Sequence, residues 1–324
     1  MKTYELIKDE KLPARFLIAK SLDYNSNSTE VHKILNELKE GEKIDLEVKE
    51  DNLLKRKIDE ARKMYFSCEL CEIKCRVNRY EKPGFCKNTV EPYIASMFEH
   101  YGEETPLVPS FTIFFSGCNF RCVYCQNWDI SQQIIGEYIP PNILAKIIEI
   151  KRRNNLIENI NFVGGEPTPH IPYILEVLDN LNVSIPVIFN TNFYLTEKSI
   201  KILDGVVDLW LPDFKYGNNK CAEKYSGIKN YFEIITRNFK LIENKGDILI
   251  RHLILPNHIE CCSMKIVDWL ANNMDKNSFV INIMKQYWPA YKAKNFKEIN
   301  RKISIKEYLK VVNYAKEKGL TILE

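Results

Sequence analysis

The stretch Ser110–Trp128, SFTIFFSGCNFRCVYCQNW, decides how the rest of the chain is read. Phe111 to Phe115 is an apolar run of strand length, and Ser116-Gly117 ends it with a turn signal. Cys118, Cys122 and Cys125 follow at C-x3-C-x2-C spacing. A strand that opens into such a loop aims three thiolates at one spot beyond its end. Soft thiolates select zinc or iron–sulfur clusters. Structural zinc takes four closed protein ligands, and no fourth Cys or His lies within reach along this loop. Three thiolates suit a [4Fe–4S] cluster with one iron left open to another ligand. On spacing alone, a zinc knuckle or three buried thiols stay open as alternatives.

Outward from this stretch the pattern is strand, loop, helix, repeated. Ile/Val/Phe runs at 111–116, 160–163, 185–190, 206–211, 247–254 and 278–284 read as strands buried on both faces. Residues 141–154, 171–181, 196–204, 229–244, 261–274 and 304–318 read as helices. Alternating β and α implies a parallel sheet with right-handed crossovers. The expected fold class is therefore α/β, with six units curving into a partial (β/α)6 TIM-like barrel. In parallel barrels the chemistry sits on the loops after the strands.

Those loops carry polar groups. Gly164-Gly165-Glu166-Pro167 follows the second strand, and paired glycines let a ligand approach the backbone. Asn190-Thr191-Asn192 follows the third; because Thr196 is the better-placed helix cap, these three are expected to be free. Asp213 and Lys215 follow the fourth, two apart and so on one side of an extended chain. Arg251 lies inside the fifth strand and needs an anion if buried: a ligand carboxylate or a substrate group, unless it is a surface residue at a strand end. Gln286-Tyr287-Trp288 follows the sixth and lines the substrate side. His170, His252 and His258 read as satisfied core or loop histidines, and Cys221, Cys261 and Cys262 as buried thiols, with a ligand or substrate-radical role as the alternative.

Ahead of the barrel, Ser26–Thr29 reads as a loop and cap, followed by a helical apolar face (Val31, Ile34, Leu35, Leu38) ending at Gly41. Asp51 opens a second helix with Leu53, Leu54, Ile58, Ala61 and Tyr65 on its apolar face. These helices have too little apolar bulk for a core of their own and are expected to pack on the barrel. Cys68, Cys71, Cys75 and Cys86 then fall within nineteen residues, with Pro83-Gly84-Phe85 before the last. Four thiolates can converge on a second metal site, zinc or iron–sulfur, with four free buried thiols as the alternative. The expected division is 1–67 N-terminal helical extension, 68–100 cysteine-rich module, and 101–324 barrel.

The chain has 324 residues, 45% hydrophobic and 27% charged, with net charge +3. That suits one large α/β domain with an appendage. The basic runs Lys55-Arg56-Lys57 and Lys151-Arg152-Arg153 sit beside acids and read as solvated helix faces, not a nucleic-acid patch. Ten cysteines, seven in two tight clusters, indicate metal binding in a reducing compartment rather than disulfides. The N-terminus lacks a signal-peptide core, and no apolar stretch approaches the ~20 residues of a membrane span. A cytoplasmic protein with no membrane contact is expected.

The motif C-x3-C-x-aromatic-C, with Tyr124 as the aromatic, resembles the signature of the radical S-adenosylmethionine (SAM) superfamily. From residue 68 to about 295 the chain is similar to the pyruvate formate-lyase activating-enzyme-related group, through CELCEIKC with GFC, GCNFRCVYCQNWDIS, NFVGGEPTPH, LPDFKY, RHLILPNH and MKQYWP. The resemblance implies that Cys118, Cys122 and Cys125 hold a [4Fe–4S] cluster whose open iron binds SAM. SAM is then cleaved to a 5′-deoxyadenosyl radical that abstracts hydrogen from the substrate. It further implies that Gly164, Gly165 and Glu166 hold the SAM amino group. Asn190, Thr191, Asn192, Asp213, Lys215 and Arg251 complete the expected cofactor contacts. The activases have Asp where this chain has Asn190, one negative charge fewer at a cation site beside SAM. The implied partners are an electron donor such as flavodoxin or ferredoxin and a protein or peptide substrate, including the glycine of a partner enzyme. A small-metabolite substrate, or a zinc-binding structural protein, is the alternative. The 110 residues ahead of the cluster depart from the shorter activases.

Overall fold

The computed structural model describes residues 1–42 and 46–323; residues 43–45 and 324, inside the expected extension and barrel ranges, lie outside the described residues. Four helices open the chain: α1 (Lys2–Lys8), α2 (Arg15–Ser21), α3 (Ser28–Glu37) and α4 (Leu53–Lys63). Asn27 starts α3 through a capping box with Glu30. Asn52, not Asp51, caps α4 by accepting from the Lys55 amide. The first two helices are seven residues each, too short for their apolar spacing to declare itself.

Seven strands form the sheet: β1 (Ile94–His100), β2 (Ser110–Phe115), β3 (Asn159–Gly164), β4 (Val187–Thr191), β5 (Leu209–Pro212), β6 (Asp247–Leu253) and β7 (Val280–Met284). Their spatial order follows the chain order. From β2 to β7 every pairing is parallel. Around them run α5 (Trp128–Ser131), α6 (Pro141–Arg153), α7 (Ile171–Asp179), α8 (Glu197–Leu203), α9 (Asn219–Ser226), α10 (Tyr231–Ile242), α11 (Met264–Asn273) and α12 (Ile305–Glu317). The six expected βα units are present, as in a partial TIM-like barrel. The extra strand β1 pairs antiparallel with β2. Its residues fell in the expected cysteine module; as an edge strand with one face in solvent, it lacks the continuous apolar run of its neighbours.

The N-terminal helices belong to the barrel's own core. One apolar cluster runs from Ile7 through α2 and α4 to Leu320, and α4 packs on α7 and α8. Two cationic residues expected on solvated faces are buried instead. Lys57 donates to Ser28 Oγ and to the Asp204 carbonyl, both within 2.9 Å, and burial pushes its pKa down to about 8. Arg152 donates to the Lys8 and Ile157 carbonyls. Each fastens an N-terminal helix or an adjoining turn to the barrel.

Tyr4 shows which end of the barrel is closed. It packs with Leu107, Ile188, Leu209, Leu211 and Leu249 in a separate apolar cluster. Its hydroxyl accepts from Asn159 Nδ2 at 2.8 Å, and its amide donates to Asp247 Oδ2 at 2.6 Å. Asn159 and Asp247 are the first residues of β3 and β6, so α1 plugs the strand-start end. Chemistry is left to the strand-end mouth, where the cysteine loop emerges.

Candidate active site at the strand-end mouth

Cys118, Cys122 and Cys125 follow β2 directly, and each sulfur meets a donor or hydroxyl. The Phe120 amide donates to Cys118 Sγ at 3.3 Å, and Asn192 Nδ2 lies 3.8 Å from the same sulfur. Ser226 Oγ is 2.9 Å from Cys122 Sγ, and Ser131 Oγ is 3.3 Å from Cys125 Sγ. Burial pushes all three thiols up, Cys122 to about 11. The Lys215 ammonium opposes this at Cys122 and Cys125.

A single ion needs donor atoms about 3.5–4 Å apart, given metal–sulfur bonds of about 2.3 Å. Among the described residues, neither this triad nor Cys68, Cys71, Cys75 and Cys86 brings three ligand atoms within 4.8 Å of one another. The wider triad, with no fourth ligand, fits a cluster held at three corners.

The paired glycines serve a different approach from the one expected. Gly164 has φ +114, and a Cβ there would stand 2.2 Å from the Phe115 amide nitrogen. A Cβ on Gly165 would stand 2.1 Å from the Gly117 carbonyl oxygen. It is the protein's own backbone that comes close: β3 and the cysteine loop press together. Glu166 is thereby buried behind the loop. Its Oε1 accepts from the Thr168 and Thr191 hydroxyls at 2.5 Å each, and its Oε2 from the Asn192 amide at 2.8 Å. Burial pushes its pKa up against those bonds.

Thr196 does cap α8, yet Thr191 and Asn192 are not free. Thr191 donates to Glu166, and Asn192 Nδ2 donates to Asn119 Oδ1 at 2.6 Å. Of the three, only Asn190 keeps a buried amide nitrogen without a partner. It faces a cavity of about 550 Å³ lined also by Phe114, Asn127, Val163, Arg251, Asn282 and Gln286. Tyr124 donates to the Tyr216 hydroxyl at 2.7 Å. Lys215 Nζ lies 2.6 Å from Asp213 Oδ2.

Arg251 is largely but not fully buried, and its anions come from the loop between β1 and β2. Its Nε donates to Glu104 Oε1 at 2.7 Å, and its Nη2 pairs with Glu103 and Glu104. Asn282 Nδ2 also donates to Glu104 Oε1, at 2.8 Å. The place of Arg251 inside a strand is reason to seek an anion but no means of finding one 147 positions away. Glu103, Glu104, Asn119, Thr168 and Ser226 were all missed for this reason. Of the residues after β7, Gln286 lines the cavity, while Tyr287 is buried against Tyr124 and donates to the Ile299 carbonyl. Trp288 is exposed.

The second cysteine set lies against the first. Asn88 Nδ2 donates to the Ser116 carbonyl at 3.0 Å. Arg121 Nη2 donates to the Phe85 carbonyl at 2.5 Å, its guanidinium 4.2 Å from the Phe85 ring centroid. On the other side, the Glu72 amide donates to the Tyr194 carbonyl. The Cys75 and Cys86 sulfurs lie 3.3 and 3.5 Å from the point a Gly84 Cβ would take. Arg79 Nη1 donates to Cys68 Sγ at 3.7 Å. His252 is satisfied by the Phe214 carbonyl and Ser263 Oγ. His170 is not: both ring nitrogens are buried without a partner.

Residues 112–270 match the model of the radical SAM superfamily. The chain belongs to the radical SAM superfamily. Its members are enzymes, and their [4Fe–4S] cluster and SAM are the cofactors for which the thiolate triad and the polar mouth are suited. Over 99% of its length the chain is 43% identical to the uncharacterized protein MJ0674 of Methanocaldococcus jannaschii, covering 98% of that protein. Spore photoproduct lyase, solved with a dinucleoside spore photoproduct, shares the fold at 9% identity, with a TM-score of 0.51 over 71% of this chain and 79% of that one. The chain spans about half of Streptococcus suis SuiB, solved with S-adenosylmethionine: 47% of that chain and 63% of this one, at 15% identity and TM-score 0.46. Among the described residues, no helix of this radical SAM protein is long and apolar enough to cross a membrane.

Proposed function

We propose that this radical SAM enzyme removes hydrogen from a segment of a protein or peptide presented at the barrel mouth. When bound, the cluster and SAM supply the radical chemistry. The chain's own residues supply position and shielding. Cys118, Cys122 and Cys125 would hold the cluster. Asn190 would meet SAM in the cavity, Glu166, Asp213 and Lys215 would hold it from outside the cavity lining, and the Tyr4 plug keeps water from the far end.

One observation carries the substrate class. The mouth cavity, about 550 Å³, is sized for a single drug-sized ligand. SAM fills that role, so the substrate reaches in from the rim. The rim is aromatic and exposed: Trp128 stacks on Tyr291 at 5.4 Å, and Trp128 and Trp288 are 39% and 48% exposed. Exposed aromatics of this kind anchor polypeptides. The glycine of a partner enzyme is one such target, and a flavodoxin or ferredoxin would deliver the electron. A small polar metabolite is the second reading, favoured by Arg251, Glu103, Glu104 and Asn282 around the inner wall.

The test supplies the enzyme, SAM and reductant with cell extract grown in deuterated medium and split by ultrafiltration. Deuterium in 5′-deoxyadenosine should come from the retained macromolecules. Deuterium from the filtrate alone would establish the small-metabolite reading instead.

A further inference from the structure

Cys221, His258, Cys261 and Cys262 are far apart in sequence and together in the fold. Cys221 lies in the first turn of α9, where Asn218 caps the helix by accepting from the Cys221 amide. Cys261 and Cys262 lie on the π-helical turn Ile259–Ser263 that leads into α11, and His258 precedes it. The three sulfurs and one imidazole nitrogen all lie within 4.8 Å of one another, the one such group among the described residues. His258 Nδ1 is 3.1 Å from Cys261 Sγ and 3.7 Å from Cys221 Sγ. Cys261 and Cys262 sulfurs are 4.0 Å apart, and all three cysteines are free. Donors held about 2.0–2.3 Å from one ion in a tetrahedron stand about 3.5–3.8 Å apart, so these spacings match a single ion.

The surroundings choose the right nitrogen. His258 Nε2 is 2.9 Å from the Tyr225 hydroxyl, which donates to Glu298 Oε1 at 2.7 Å. That hydroxyl has one proton and gives it to a carboxylate, so it accepts from Nε2–H. The proton is thereby fixed on Nε2, and the Nδ1 lone pair faces the sulfurs. Metal-bound histidines are oriented in this way. Asn218 Nδ2 lies 3.4 Å from Cys221 Sγ and 3.5 Å from Cys262 Sγ, a donor suited to two thiolates. At Gly217 a Cβ would come within 2.5 Å of the Cys262 carbonyl oxygen, so glycine is what lets the two segments close.

We propose that Cys221, Cys261, Cys262 and His258 Nδ1 bind one zinc ion in a closed tetrahedral site. Binding releases three thiol protons and leaves His258 neutral. With four protein ligands the ion has no open position and its role is structural. It fastens α9 to the start of α11. The end of α9 in turn supports the catalytic cysteine loop: the Arg121 amide donates to the Ser226 carbonyl at 3.1 Å, and the Val123 amide to the Tyr225 carbonyl at 2.8 Å. The ion thus steadies the loop without touching substrate.

The test is zinc-edge X-ray absorption on the full-length protein, purified anaerobically and reconstituted with iron and sulfide. One zinc per chain in a shell of three sulfurs and one nitrogen is expected. Cys261→Ser and His258→Gln should each lose the zinc while the iron content holds. A shell of four sulfurs, which would place zinc at Cys68, Cys71, Cys75 and Cys86, would overturn the proposal. So would a wild-type protein without zinc, or a variant that keeps it. The wild-type spectrum decides the matter even if a variant fails to fold.

Discussion

Ser226 Oγ stands 2.9 Å from Cys122 Sγ, although 104 positions separate the two residues. Hydrogen bonds to ligand sulfurs raise a cluster's reduction potential by stabilising the added electron. Ser226→Ala should therefore lower the potential while leaving iron content unchanged. Potentiometry followed by electron paramagnetic resonance reads this, and an unshifted midpoint would remove Ser226 from the account.

Glu166 is expected to meet the SAM amino group with its charge. Glu166→Gln keeps the hydroxyl contacts of Thr168 and Thr191 but removes that charge, and should weaken SAM binding by about 10–100-fold. Burial raises the Glu166 pKa, and only the ionised carboxylate meets the cation with a charge. Wild-type affinity should rise with pH through that raised pKa, and the variant's should stay flat. Calorimetry finding parallel profiles would count against the contact.

Arg251 is paired inside the barrel with Glu103 and Glu104. Arg251→Met leaves two acids without their cation and should destabilise the fold by about 3–5 kcal/mol. Adding Glu103→Gln and Glu104→Gln should restore most of it. Urea unfolding checks both steps, and a single variant as stable as wild type would show that the pair contributes little.

His170 stacks on Phe115 with ring centroids 4.7 Å apart and no hydrogen-bond partner. Burial lowers its pKa from 6.5 to about 3. Unfolded chain takes up a proton below 6.5 and folded chain resists until about 3. Stability is therefore full above pH 6.5 and lost as pH falls between the two values. His170→Phe should remove this part of the acid sensitivity, while His252, lowered to about 4 for the same reason, keeps its own. The drop in unfolding midpoint between neutral pH and about pH 5 should be smaller in the variant than in the wild type; an unchanged drop would contradict this.

What the sequence made legible follows the reach of its patterns. Apolar runs without alternation identified all six parallel strands, because burial on both faces demands them. The edge strand β1 escaped, since Ser96 and Phe98 on its outer face meet solvent. Cysteine spacing singled out two sets of thiols because each lies within one short segment. Cys221 with His258, Cys261 and Cys262 went unrecognised as a site, because nearly forty positions separate its halves. Gly164 and Gly165 were legible as a close approach, but only the fold shows that the approaching group is the Gly117 loop. Arg251 announced a missing anion; its identity needed the chain to fold.

The central claim is that Cys118, Cys122 and Cys125 hold the centre at which SAM is cleaved. The direct measurement is 5′-deoxyadenosine formed from SAM under anaerobic, reducing conditions by the reconstituted protein and by Cys122→Ala. Wild type should form it, and the variant should form none. A wild-type protein that carries its cluster yet leaves SAM intact, or a variant that cleaves SAM at the wild-type rate, would contradict the account.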